Sequence, residues 1–365
     1  GFGGETVSLA LATRRKATGV LAGRPLWVLL GLVLLGVTLL AVVIGPAEVD
    51  LRTTIQLLVG ALTGGRLDGW LTEVEAWQAK VLWELRLPRV ATALLVGASL
   101  AVSGAVLQSL FRNPLASPSI LGVSSGASLG AVIAIFFGLA AINVWALPLF
   151  SFLGAGLTIA VVYRIATARG HVPMGTLLLA GIAVGAFNVA MISLVLALAL
   201  QHWEVGKSIV YWTMGGLDGR GWHHVLLLLP VFLASVAAIV FYQRDLDILL
   251  VGEIHANSVG VDVVRVRRNL LLVTAALTGV AVSVAGGIGF VGLVVPHITR
   301  LLVGPQHRRL LPVTCLLGAL VLVSADLLIR GDASRAVIPL GVVTAAMGAP
   351  FFLFLLLRQR RLMQL

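Results

Sequence analysis

Few residues of this chain have chemistry to offer. Between Gly289 and Pro312 the string GFVGLVVPHITRLLVGPQHRRLLP sets His297, Arg300, His307, Arg308 and Arg309 behind an apolar half-helix. Two histidines could ligate a metal, but ligands on one helix face need a spacing of three or four residues. His307 follows only after a Gly-Pro turn, so no metal site is expected. His297 comes directly after Pro296, whose missing N–H loosens a helix, and reads as a packing or interface histidine. The string EVGKS ends in Gly206-Lys207-Ser208, like the tail of a phosphate-cradling loop, yet the glycine such a loop needs at its start is Gln201. GVSSGASLG, Gly122 to Gly130, has no strand before it and is better explained by helix packing than by phosphate binding. The single cysteine, Cys315, lies in an apolar run and excludes an intramolecular disulfide or a Cys-based metal cage. This inventory offers no catalytic residue and no intrinsic cofactor.

The elements that hold these residues are apolar. Of 365 residues 59% are hydrophobic and only 11% charged, with a mean hydropathy of +1.05. A water-facing surface takes about 25% charged residues, so the expected fold is all-α, a polytopic transmembrane helical bundle. The 41 glycines suit membrane helices that approach closely. A net charge of +11 would fit nucleic acid, but the cations are not clustered with stacking aromatics and read as membrane topology.

Spans of about 20 apolar residues lie near 26–45, 88–111, 119–139, 144–166, 175–200, 222–243, 269–287, 288–303, 310–330 and 338–357. Ten spans are therefore expected, with a tight turn at Gly286-Gly287-Ile288-Gly289 and a candidate break within 175–200. With the N-terminus in the cytoplasm, Arg14, Arg15, Lys16, Arg112, Arg244, Arg265, Arg267 and Arg268 fall inside with most other Lys and Arg, as the positive-inside rule requires. Both termini are then cytoplasmic. Residues 1–25 form a cytoplasmic lead, and 26–365 a single transmembrane domain. The first apolar run is too long for a cleaved leader and reads as an uncleaved helix.

Two polar stretches interrupt the spans. Residues 46–87 form a long external connection, part of it an interfacial helix carrying Trp70, Trp77 and Trp83. Residues 244–268, RDLDILLVGEIHANSVGVDVVRVRR, are the longest internal one. Apolar patches alternate there with charge and break at Gly252 and Gly260, which suits two short amphipathic helices lying on the membrane face. The pattern serves equally as a solvated loop on lipid headgroups or as a docking surface.

LLVGEIHANSVGV resembles the coupling-helix signature of the FecCD family, permease subunits of ABC importers for iron chelates, haem and cobalamin. Leu250, Gly252, Glu253, Ala256, Ser258, Gly260 and Val261 carry the resemblance, with Val259 in place of a leucine. RLPRVATALLVGASLAVSGAVLQSLFRNPLASPSILGVSSGASLGA, GFVGLVVPHITRLLVG and IPLGVVTAAMGAPFFLFLLLR resemble the family's second and third spans and its last third. Residues 1–85 and about 140–225 match loosely.

The resemblance implies a type II ABC importer permease fold with coupling helices at about 244–265. It implies two copies of the chain enclosing a pathway, two partner ABC ATPases that bind ATP and magnesium, and a periplasmic substrate-binding protein. The location implied is the bacterial inner membrane. Arg52, Arg66, Arg330 and Arg335 become candidates for receiving acidic groups of the binding protein, since rim charges steer encounter. Asn188 and Met191 are the pathway candidates. YWTMGGLDGRGW, with the three histidines of Gln201 to His224, is most similar to haem-importing members. Haem is thus the expected cargo, with Fe(III)-siderophore or cobalamin as alternatives. A different class, the ion-coupled secondary transporter, would need an ionisable group at mid-membrane, for which Asp326 is the main acidic candidate.

Overall fold

The computed structural model describes residues 24–45, 49–63, 76–167, 173–330 and 338–363. These are almost all helical, and no strand occurs among them. The chain enters with α1 (Arg24–Val43) and a short amphipathic α2 (Leu51–Thr63), which Asp50 caps by accepting a hydrogen bond from the Thr53 N–H. A continuous helix of 35 residues, α3 (Ala76–Leu110), follows. At about 1.5 Å per residue α3 outruns a bilayer core of about 30 Å. Trp77 and Trp83 therefore sit in its overhanging first turns instead of on the separate interfacial helix expected of them; Trp70 lies outside the described residues. The backbone widens to a π-helical turn at Val81–Arg86. Pro88 supplies the reason: it has no N–H to return to the carbonyl of Glu84.

The remaining spans are α4 (Val123–Phe136), α5 (Ala146–Ala166), α6 (Met174–Ala199), α8 (Trp222–Phe241), α11 (Val263–Ala285), α12 (Val291–Val303), α13 (His307–Arg330) and α14 (Leu340–Met363). Between them lie α7 (Trp203–Thr213) and the short pair α9 (Gln243–Val251) and α10 (Glu253–Ser258). Among the described residues seven helices are long and apolar enough to cross a membrane, and three shorter apolar helices fall at the other expected spans. α6 runs unbroken, so the break expected within 175–200 is absent. The segment 201–224 holds α7, with Gly206, Ile209 and Trp212 buried. The loop-like tail Gly206-Lys207-Ser208 is helical there, and the Ser208 hydroxyl donates to the Glu204 carbonyl.

α3 and α11 form the centre, with 83% and 72% of their apolar windows enclosed, against 17% and 11% for α1 and α6. Glycines set the spacing. A Cβ on Gly97 would meet the Gly318 carbonyl of α13, and one on Gly104 the Gly292 carbonyl of α12. Gly126 of α4 faces the Gly154 carbonyl of α5 in the same way. With no hydrophobic drive between helices in lipid, such backbone contact supplies the packing energy.

Two half-length helices complete the scaffold. α4 and α12, of 14 and 13 residues, rise only about 20 Å. The irregular stretch that precedes α12 is covered by protein, with Gly286 and Ile288 buried, as lipid requires. Before α12, Gly286 and Gly215 both take positive φ, and the Gly216 N–H donates to the Ala285 carbonyl at 2.8 Å. The tight turn expected at 286–289 is thus a junction of backbones in which a Cβ on Gly286 would meet the Trp212 carbonyl and one on Gly287 the Thr213 carbonyl. Ser117, Pro118 and Ser119, ahead of α4, line one cavity of about 180 Å³ with Ile288, Gly289 and Phe290.

Candidate functional site

The polar chemistry gathers at two ends of the bundle. α13, 24 residues long, spans about 36 Å between them. At its His307 end lie α9 and α10. α9 buries Leu246 and Leu249 and stops at Gly252, whose φ of 145° and ψ of 155° are strained for any residue with a side chain. α10 buries Ala256 and ends in a closing motif: the Val261 N–H donates to the Ala256 carbonyl and the Gly260 N–H to the Asn257 carbonyl. Gly260 takes the positive φ, 86°, that this motif needs. Asp262 then caps α11 through the Arg265 N–H. The two short helices read from the sequence are present, broken where its glycines stand.

This end presents apolar tips over pinned charges. Ile254 is 89% exposed and Val251 67%. Beneath them the Arg267 guanidinium donates to Glu253 and ties α10 to α11, holding the Glu253 carboxyl below its ordinary range. Arg112, in a left-handed conformation at φ 49°, lines a groove with Gly252, Glu253, Ile254, His255 and Ser258. A non-glycine residue held there costs energy and commonly marks a functional position.

A buried polar chain starts from α9. Asp247 accepts from the His307 N–H at 3.0 Å and lies 2.6 Å from His307 Nδ1. His307 Nε2 lies 2.8 Å from the Ser109 hydroxyl of α3. The Arg300 guanidinium of α12 donates to Ser109, to the Ala105 carbonyl and to the Gln108 side chain. Gln108 in turn donates to the Leu293 carbonyl at 3.0 Å. Burial alone would raise the Asp247 pKa, but hydrogen bonds and charge from His307 outweigh it and lower it.

The Arg330 end has the opposite character. Asp326, 0% exposed, accepts from Arg89 at 2.7 and 3.1 Å and from Arg330. Arg89 also pairs with Asp218 at 2.6 Å. Arg86 donates to the Val42 and Val43 carbonyls and Arg330 to that of Ala41, satisfying the last turn of α1. Arg86, Arg89, Arg220 and Arg330 line a cavity of about 180 Å³. The Nε atoms of Arg220 and Arg330 are buried without a hydrogen-bond partner among the described residues. Burial lowers the Arg220 pKa and Asp218 opposes that. Four cations against two carboxylates leave this region with an excess of positive charge.

Of the expected rim cations, Arg330 is thus no surface charge: it ends α13, 7% exposed and engaged with Asp326. Arg52 is exposed on α2, and Arg66 and Arg335 lie outside the described residues. Asn188 donates to Thr158 at 3.1 Å and Ser125 at 3.3 Å, binding α6 to α5 and α4. Its neighbours Val189 and Ile192 line a cavity of about 540 Å³ with Ser124, Ser125, Ser128 and Thr213, while Met191 is not among the lining residues. Sequence reading missed Arg86, Arg89, Asp218 and Asp247. The available signal was Asp326, an acid in an apolar run that needs a buried cation.

The His-rich stretch is partly absorbed by structure. His224 is buried, its Nδ1 accepts from the Gly221 N–H, and its ring lies 3.9 Å from that of His223. These two histidines build the start of α8.

Comparison with known proteins adds the following. The family model described as the FecCD transport family matches residues 32–358. A cobalamin import system permease protein, BtuC, of Halobacterium salinarum is 43% identical over 89% of this chain and 94% of its own. The vitamin B12 import system permease protein BtuC of Klebsiella pneumoniae is 39% identical over 84% and 91%. A solved inward-facing conformation assigned to the metal-chelate type ABC transporters superposes with a TM-score of 0.79, at 31% identity, over 92% of this chain and all of that one.

Proposed function

Since the chain belongs to the FecCD transport family and is an ABC-importer permease of that kind, we propose that its cargo is cobalamin. The observation that carries this is its 43% identity over 89% of its length to a permease named for cobalamin import. The relatives named above favour this alternative over the haem expected from YWTMGGLDGRGW. Chemistry supports the same choice. The hydroxyls of Ser124, Ser125, Ser128 and Thr213, set among Gly and aliphatic residues, can pair with the peripheral amides of a corrinoid. Haem brings two propionates, whose burial needs cations, and the residues lining that cavity include none. A cobalt corrinoid is also a metal chelate, in keeping with the solved relative.

In this reading two copies of the chain enclose the pathway in the cytoplasmic (inner) membrane, with both termini in the cytoplasm. Each α9–α10 unit seats a separate ATPase subunit, which binds ATP and magnesium. Ile254 and Val251 enter its socket, and Glu253, Gly260 and the closing motif at Val261 keep the unit rigid. The Arg86–Arg89–Arg220–Arg330 cavity, on the periplasmic side, receives carboxylates of the substrate-binding protein. Asp326 is locked between two arginines, which argues against its carrying protons in an ion-coupled transporter.

The test is ATP-dependent uptake of radiolabelled cyanocobalamin into proteoliposomes holding the permease, its ATPase and its binding protein. Competition by haem and by a ferric siderophore is measured alongside. Saturable cobalamin uptake that neither competitor blocks is expected. Uptake of haem or siderophore in its place overturns the cargo, and uptake driven by an ion gradient without ATPase overturns the class.

A further inference from the structure

The Asp247–His307–Ser109 chain has the order of a hydrolase triad, and that chemistry is excluded first. His307 is 0% exposed and Ser109 1%. The Ser109 hydroxyl is already engaged by Arg300, His307 and the Ala105 carbonyl. No cavity described above reaches it, so it has no acyl substrate to attack.

The chain's route through the bundle gives it another use. It begins on α9, crosses the first residue of α13, reaches the last turn of α3, passes to Arg300 of α12, and returns through Gln108 to the Leu293 carbonyl. Leu293 lines the cavity of about 180 Å³ ahead of α4 together with Leu100 and Gly292. One end of the chain is therefore on the docking unit and the other in the cavity wall. Apolar contact alone could let α9 slide: Leu246 and Leu249 rest on partners of no fixed direction. Hydrogen bonds have direction and short range, and a buried one left unmade costs about 1–3 kcal/mol. Asp247 Oδ1 holds both the backbone N–H and the ring of His307, so displacement of α9 moves the start of α13 as well.

We propose that Asp247, His307, Ser109, Arg300 and Gln108 are positioning residues forming a relay that converts movement of the docking unit into movement of the α3–α12 cavity wall. The proposal rests on the importer reading given above. It concerns transmission between sites, for which the measurable quantity is a coupling free energy.

The experiment uses the full complex of permease, ATPase and binding protein in proteoliposomes, with cobalamin as the probe. Molecules of ATP hydrolysed per cobalamin moved are counted for the unsubstituted chain, Asp247→Ala, Asp247→Glu, Ser109→Ala and the double variant D247A/S109A. Asp247→Ala removes the acceptor that holds His307 and should raise the ATP-to-cargo ratio about tenfold. Asp247→Glu should recover part of the loss. Ser109→Ala, away from the docking unit, should raise the ratio while basal hydrolysis stays near normal. The double variant should be no worse than Asp247→Ala alone, because both cut the same chain. A purely structural role would lower thermal stability, hydrolysis and transport together and leave the ratio unchanged; that result, or ratios that multiply in the double variant, overturns the relay. Ser109→Ala removes a single hydroxyl, so an assembling variant remains if Asp247→Ala fails to fold. If the unsubstituted complex moves no cobalamin, the cargo reading fails instead. The relay is then judged by stimulation of ATP hydrolysis by the binding protein. The same substitutions should cut this about tenfold, and unchanged stimulation overturns the relay.

Discussion

The two ends of α13 solve opposite problems. At the Arg330 end charge is taken inward: Asp326 is fully buried between Arg89 and Arg330, and a cation-lined cavity opens beside it. At the His307 end charge is held back, with Glu253 tied to Arg267, while Ile254 and Val251 stand out. In the function proposed above, a partner at the first end would be recognised by its carboxylates, with an encounter that depends on salt. A partner at the second would be recognised by shape and apolar area, in the manner of an interface hot spot. The sequence pattern alone makes both look like polar breaks between spans.

The comparison can be broken most forcefully at Asp326. Asp326→Asn leaves the buried Arg330 guanidinium without its carboxylate and Arg89 with Asp218 alone, and should cost about 3–5 kcal/mol of stability, read as a fall in thermal unfolding temperature in detergent. If stability is unchanged, the outer charges are not an integral cluster. The next test acts at the other end. Ile254→Asp should weaken ATPase binding by about 2 kcal/mol or more, measured by titration of the solubilised complex, with the unfolding temperature unaltered. A loss that disappears in high salt would show that this face too works by charge.

Smaller effects sharpen the contrast. Arg220→Glu should slow association of the binding protein about tenfold at low salt, followed by stopped-flow fluorescence, and leave ATPase binding untouched. The smallest effect concerns pH. The Glu253 carboxyl is held below its ordinary value of 4.5, chiefly by the Arg267 hydrogen bond. A depressed carboxylate contributes its full stabilisation above that value and loses it as pH falls through the folded pKa. ATPase affinity should therefore be level from neutral pH down to that ordinary value and decline only below it. Glu253→Gln should flatten that decline, and a decline near neutral pH would contradict the assignment.

How much of this could be read in advance depended on range. The break at Gly252 and the stop at Gly260 were legible because backbone conformations with positive φ leave a local residue signature. The positions of the spans were legible because hydropathy is local. Pairings across the fold were not. Arg89 meets Asp326 from the far side of the chain, and His307 proves to be held by Asp247. Asn188 showed the reverse error: a lone amide in an apolar helix suggested a pathway, yet Ser125 and Thr158 satisfy it between helices. Half-length helices also escaped notice. α4 and α12 are preceded by irregular backbone, 113–122 and 286–290, that carries no charge to mark the break in hydropathy.

The glycine contacts have a mechanical consequence. Where Gly97 meets Gly318, Gly104 meets Gly292 and Gly126 meets Gly154, bare backbones touch without intervening side chains. Such a seam has no rotamers with which to yield, so its helices travel together: α3, α12 and α13 as one plank, α4 and α5 as another. Work delivered to this molecule is spent at the joints between planks, where side chains can re-pack, and the glycines mark the lines along which nothing slides.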